Sequence, residues 1–135
     1  MIYITRDEIK RLNQRHLYDT DDPYRGTAVL LNPGSLDWVL EAIEHPVFDV
    51  MQYSTLSEKA AKLAWTVITA HVFVDGNKRT GMSALVIFLQ RNGCGLNVTT
   101  DEIVETALLI AQTSTNGYTF DEFVAWVNEK IRPLT

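Results

Sequence analysis

The sequence predicts one all-α domain over residues 1–135, with about six helices and a short extended flap before the second helix. Three observations predict it. Thr-x-x-Glu helix starts recur along the chain, apolar residues behind them fall at helical spacing, and strand-like composition is confined to the run Thr27-Ala28-Val29-Leu30-Leu31.

The helix starts come first. Thr5-x-x-Glu8, Thr99-x-x-Glu102 and Thr119-x-x-Glu122 are capping boxes, in which the two side chains satisfy orphan N–H groups reciprocally. Each box is flanked by an apolar pair suited to a hydrophobic staple: Ile4 with Ile9, Val98 with Ile103, Tyr118 with Phe123. Ile9 and Leu12 then continue the first helix toward His16. Ile103, Ala107 and Ile110 continue the helix after Thr99. Phe123, Trp126 and Val127 continue the last, which Pro133 is expected to end.

Between these lie further helices. Leu36, Val39, Leu40 and Ile43 mark a short one that stops before Pro46. Leu56, Ala60, Leu63, Ala64, Val67 and Ile68 mark a longer one reaching His71. Another begins near Asn77–Thr80, carries Met82, Leu85, Val86 and Leu89, and stops at Gly93. Its middle is apolar almost all round, which predicts the central, most buried helix. The Asp-, Pro- and Gly-rich stretch from Asp19 to Ser35 is a long loop holding the flap, a length usually associated with function.

Composition narrows the classes. Hydrophobic residues make up 46% and charged residues 21%, which is globular rather than disordered composition. No apolar run approaches the roughly 20 residues of a membrane span, and Met1 to Lys10 lacks a signal-peptide centre, so the expectation is the cytoplasm without membrane contact. A net charge of −5 argues against nucleic acid as a direct partner. With Cys94 as the single cysteine, neither an internal disulfide nor a cysteine metal site can form.

The chemistry concentrates in His71-Val72-Phe73-Val74-Asp75-Gly76-Asn77-Lys78-Arg79-Thr80. A Gly-Asn turn feeding a helix exposes backbone N–H groups at the positive end of the dipole, an anion site. Lys78 and Arg79 add positive charge there, and an Arg can hold phosphate bidentately. Asp75 beside it suits Mg²⁺, which takes one or two carboxylates plus phosphate oxygens. His71, a loop's width away, can take a proton from an attacking hydroxyl.

This segment resembles the signature of the Fic/Doc superfamily, HxFx(D/E)GNxxR in members that transfer AMP and HxFxDxNKRT in the death-on-curing (Doc) toxins. The stretch from Gly34-Ser35-Leu36 to His45-Pro46 also looks like the short helix preceding the active site in Doc proteins. The resemblance implies a Fic-type helical bundle that uses ATP and Mg²⁺. It assigns His71 as general base, Phe73 as the loop's anchor in the core and Asp75 as the Mg²⁺ ligand. Gly76, Asn77, Lys78 and Arg79 would bind nucleotide phosphates, with Arg79 also catalytic, and Thr27 to Leu31 would align a target peptide by strand pairing.

Two departures from the AMP-transferring pattern bear on the reaction. Lys78 stands where those enzymes have Gly, and Met82 where they have a second Arg. Both match Doc, whose family reaction is phosphoryl transfer from ATP to elongation factor Tu, arresting translation. The reading favours a Doc-like protein phosphotransferase over a protein AMP transferase or a catalytically inactive binding relative. The inhibitory pattern [S/T]xxxE[G/N] is absent, because Lys59 follows Glu58 in the nearest approach from Ser54. By resemblance that implies a separate antitoxin partner.

Other candidates have plainer readings. His16 and His45 are ordinary helix-end residues rather than metal ligands. Trp38, Trp65 and Trp126 fall at helical spacing and read as core. Asp19, Asp21 and Asp22 lack the Gly and Glu of a calcium loop. Arg25 is a flap residue without a decided role, and Cys94 reads as a small packed residue.

Overall fold

The computed structural model describes residues 1–19 and 28–134, the side chains of 16–19 excepted. Among them are helices α1 (Arg6–Asp19), α2 (Pro33–Glu44), α3 (Leu56–Thr69), α4 (Asn77–Arg91), α5 (Thr100–Ala111), α6 (Thr113–Asn116) and α7 (Phe120–Lys130). The strands are β1 (Cys94–Leu96) and β2 (Ile131–Pro133). No helix of the described residues is long and apolar enough to cross a membrane.

The three capping boxes form as the sequence predicts. Glu8 N–H donates to Thr5 Oγ1 at 3.2 Å while Thr5 N–H donates to Glu8 Oε1 at 3.0 Å, and α5 and α7 open on complete boxes at Thr99–Glu102 and Thr119–Glu122. A fourth Thr-x-x-Glu start, unread in the sequence, opens α3: Glu58 N–H donates to Thr55 Oγ1 at 3.1 Å.

The centre of the molecule is the α3–α4 pair, whose connection carries the motif. Gly81 lets the two helices come close. A Cβ there would lie 2.8 Å from Ile68 Cγ1 and 3.1 Å from the Ala64 carbonyl oxygen. Ala60, Leu63, Ala64 and Val67 of α3 are buried with Ala84, Leu85, Phe88 and Leu89 of α4, and α1, α2, α5 and α7 pack around them.

Three expectations change. The chain is not helical to Pro133: α7 stops at Lys130, and Ile131–Pro133 pairs antiparallel with Cys94–Leu96, Gly95 facing Arg132. Strands this short carry no readable alternation. Trp38 is 52% exposed rather than core; its ring lies 5.7 Å from the Lys62 ammonium, which also faces Tyr53 and Phe120. Finally, α4 is not buried all round, since Val86 and Ile87 line an open groove. The sequence readings placed on Asp21, Asp22, Arg25 and Thr27 fall outside the described residues.

Candidate active site

The motif begins where α3 runs out. Ala70 N–H still bonds the Thr66 carbonyl, and His71 then turns the chain with φ 48°. The left-handed region costs a non-glycine residue roughly 1–2 kcal/mol, so it persists only where neighbours enforce it. Asn32, the N-cap of α2, does so. Its side-chain amide donates to both the Ala70 carbonyl (2.8 Å) and the His71 carbonyl (3.0 Å). The amide so used leaves α2 without a side-chain cap. The His71 side chain itself is exposed.

Beyond His71 the chain is extended and lies against the flap. Leu31 N–H donates to the Val72 carbonyl at 2.8 Å and Val74 N–H to the Val29 carbonyl at 3.0 Å, with Leu30 opposite Phe73. In antiparallel pairing the polar groups of successive residues point to opposite edges, so those of Leu30 face away from the motif. The described part of the flap therefore spends one edge on the motif and presents the other. Phe73 is fully buried and anchors the loop in the core.

Next the loop closes on itself. Asn77 Oδ1 accepts from Phe73 N–H at 2.9 Å, and Asn77 Nδ2 donates to the Phe73 carbonyl at 2.8 Å. Both ends of the Asn77 side chain are thus committed to the backbone, which leaves its N–H as the group that could meet an anion. Gly76, at φ 78°, makes the left-handed turn into α4.

The start of α4 is where charge gathers. It has no side-chain cap and no acid in its first turn, so within the helix nothing offsets the positive end of the dipole. Lys78 and Arg79 are exposed on that turn. Asp75 precedes it, its carboxylate accepting from Gly76 N–H at 2.7 Å. Among the described residues no three His, Cys, Asp or Glu side chains cluster as a metal cage, so Asp75 fits a divalent cation only as a single carboxylate shared with phosphate oxygens.

The site also uses a residue the sequence did not mark. Asn13 of α1 is fully buried, and its Nδ2 donates to the Asp75 carbonyl at 2.8 Å and to Thr80 Oγ1 at 3.1 Å. Neither Asn13 nor Asn32 had a local signal, because their partners lie more than thirty residues away.

A groove of about 730 Å³ opens beside Lys78 and Arg79. Leu12 and Arg15 of α1, Met82 and Val86 of α4, and Ile103 and Val104 of α5 line it. Met82, at the position of the second Arg in the AMP-transferring pattern, is buried in its lining.

An uncapped helix start carrying two cations, a neighbouring carboxylate and an exposed imidazole thus stand together on one loop of a helical domain. The chain belongs to the Fic/DOC family, whose family model matches residues 3–89, more than half of it. It is 40% identical over 63 residues to a protein named Toxin Doc from Mycolicibacterium smegmatis (strain ATCC 700084 / mc(2)155). That match covers 47% of this chain and 48% of the relative, so the chain spans about half the length of the curated relative it matches.

Proposed function

We propose that this chain is a Doc-like toxin that transfers the terminal phosphate of ATP to a Ser or Thr hydroxyl of a protein in the cytoplasm. Elongation factor Tu is the expected acceptor, with translation arrest as the result. The observation that carries the reading is the start of α4: no cap, no acid, and Lys78 and Arg79 side by side beyond Asp75. Such a terminus favours an anion through both its N–H groups and its dipole.

The roles follow from the side chains. His71 accepts the proton of the attacking hydroxyl, whose oxygen forms the new bond to the terminal phosphorus as the bond to ADP breaks. Arg79 and Lys78 hold phosphate oxygens and offset the charge that develops on them. Mg²⁺, held by Asp75, neutralises phosphate charge when bound. The edge of Leu30 that faces away from the motif suits an extended acceptor peptide. Phosphoryl rather than AMP transfer is favoured because the position of the second phosphate-binding Arg is Met82, buried in an apolar lining.

The groove supports an antitoxin partner. Its apolar lining begins at the phosphate cradle and continues onto exposed Val104 and Leu108 of α5, a face suited to an amphipathic segment.

The test is intact-mass measurement of elongation factor Tu after incubation with this protein, ATP and Mg²⁺, beside a His71→Ala control. A gain of one phosphate, absent in the control, is the expected result. A gain of one AMP would replace phosphoryl transfer by AMP transfer, and no gain would reject this acceptor.

A further inference from the structure

We propose that Asn13 is a positioning residue for the motif: one buried amide on α1 sets the turn that carries Asp75 and the phosphate-binding start of α4. The proposal rests on the phosphate-transfer reading for its catalytic consequence, though not for its geometry. Asn13 Nδ2 spends its two hydrogens on opposite sides of the Gly76 turn, the Asp75 carbonyl before it and Thr80 Oγ1 after it. Thr80 is itself fully buried, and its N–H bonds the Gly76 carbonyl at 2.9 Å, the first helical bond of α4.

The turn needs such a tether. Gly76 permits many backbone conformations, so glycine allows this turn without enforcing it. The Asn77 lock reaches back to Phe73 and fixes the loop to itself. Asn13 instead fixes it to a different helix. Rotation at the Asp75 carbonyl would swing the carboxylate and re-aim the N–H groups of Asn77, Lys78 and Arg79 together, so one bond pair governs both the cation ligand and the phosphate cradle.

A second observation separates this role from space-filling. Asn13 Oδ1 is buried and has no hydrogen-bond partner among the described residues. A buried acceptor left unmade is costly, and leucine, branched at the same carbon, would carry none. The amide is explained by the bonds its nitrogen makes.

The experiment compares Asn13→Leu, which removes donor and orphan acceptor together, with Asn13→His, whose Nδ1–H can stand where Nδ2 stands. Transfer kinetics, thermal unfolding and amide hydrogen exchange are measured on the full chain. For Asn13→Leu, kcat should fall on the order of 100-fold, the typical consequence of a small misplacement. Its KM for Mg²⁺–ATP should rise by about tenfold, the hydrogen-bonded Phe73, Gly76 and Thr80 amides should exchange about tenfold faster, and Tm should fall by a few degrees, because the Asp75 carbonyl and the Thr80 hydroxyl lose their donor. Asn13→His, with one Nδ1–H for the two hydrogens of Nδ2, should recover part of each loss. Wild-type kinetics and loop exchange in Asn13→Leu would overturn the proposal, as would loosening spread over α1 and α4 alike without rescue by His. If Asn13→Leu does not fold, Thr80→Val removes one of the two bonds from the other side and should loosen the same amides. If the wild type transfers neither phosphate nor AMP, the functional reading fails while exchange still decides the positioning: loosening confined to the Phe73, Gly76 and Thr80 amides upholds it, and its absence overturns it.

Discussion

The two sides of the α4 N-terminus are built on opposite principles. On the motif side, backbone polar groups are pinned by side-chain amides: Asn32 on Ala70 and His71, Asn77 on Phe73, and Asn13 on Asp75. On the groove side, Met82, Val86, Ile103 and Val104 line an open space with apolar surface. Directional bonds fix atoms to fractions of an ångström, which transfer chemistry needs. Apolar surface is non-directional and suits a partner that supplies its own shape. Mutations should therefore separate reaction from recognition across this line.

The largest effect is expected at His71. His71→Ala and His71→Gly should both lower phosphoryl transfer by roughly 10²–10⁴-fold, the usual contribution of a general base. Their stabilities should differ. Glycine relieves the left-handed conformation at φ 48°, so the Gly variant should be about 1 kcal/mol more stable than the Ala variant in denaturant titration. Equal stabilities would mean that Asn32 does not hold strain at this position.

A smaller effect tests the other side. Val104→Asp puts a charge on the groove at an exposed position, where the folded chain alone should tolerate it. Transfer to the acceptor should stay within about twofold, while affinity for the antitoxin falls by tenfold or so, the cost of setting a charge against an apolar contact. Loss of transfer with unchanged partner binding would reverse the division between the two sides.

This division also explains what the sequence made legible. Motif residues are close in sequence, so the gathering of His71, Asp75, Lys78 and Arg79 around the start of α4 could be read from their spacing. Helix caps are equally local, yet the Thr55 cap on Glu58 N–H escaped because its flanking positions are Ser54 and Lys59, with no apolar staple to reinforce it. The groove required knowing which faces of α1, α4 and α5 meet, and no single helix encodes that. Its one trace was the excess of apolar residues on α4. Val86 and Ile87 exceed the stripe that the core consumes, and read alone they suggested complete burial. Asn13 and Asn32 left no trace, since an asparagine near a helix end has many ordinary uses.

The smallest expected effect concerns how α1 is fastened as a wall between the two sides. Asn13 ties it at the start of α4 through a neutral amide, and Glu8 ties it at the far end through an ion pair with Arg91. The Arg91 guanidinium and the Thr5 N–H outweigh burial and hold the Glu8 carboxyl down at about 2, against an ordinary 4.5. Because the folded value is depressed, the stabilisation is complete above pH 4.5 and is lost as pH falls from there toward 2. The pair is partly solvated, so Glu8→Gln should cost about 1–2 kcal/mol at pH 7, or roughly 3–7 °C in Tm. That deficit should shrink as the wild type is taken from pH 5 toward pH 3. The Asn13 tether does not titrate in that range, so the Phe73, Gly76 and Thr80 amides should keep their protection while those near Glu8 and Arg91 lose theirs. Simultaneous loss at both ends would show α1 releasing as one rigid unit rather than being held by two independent fastenings.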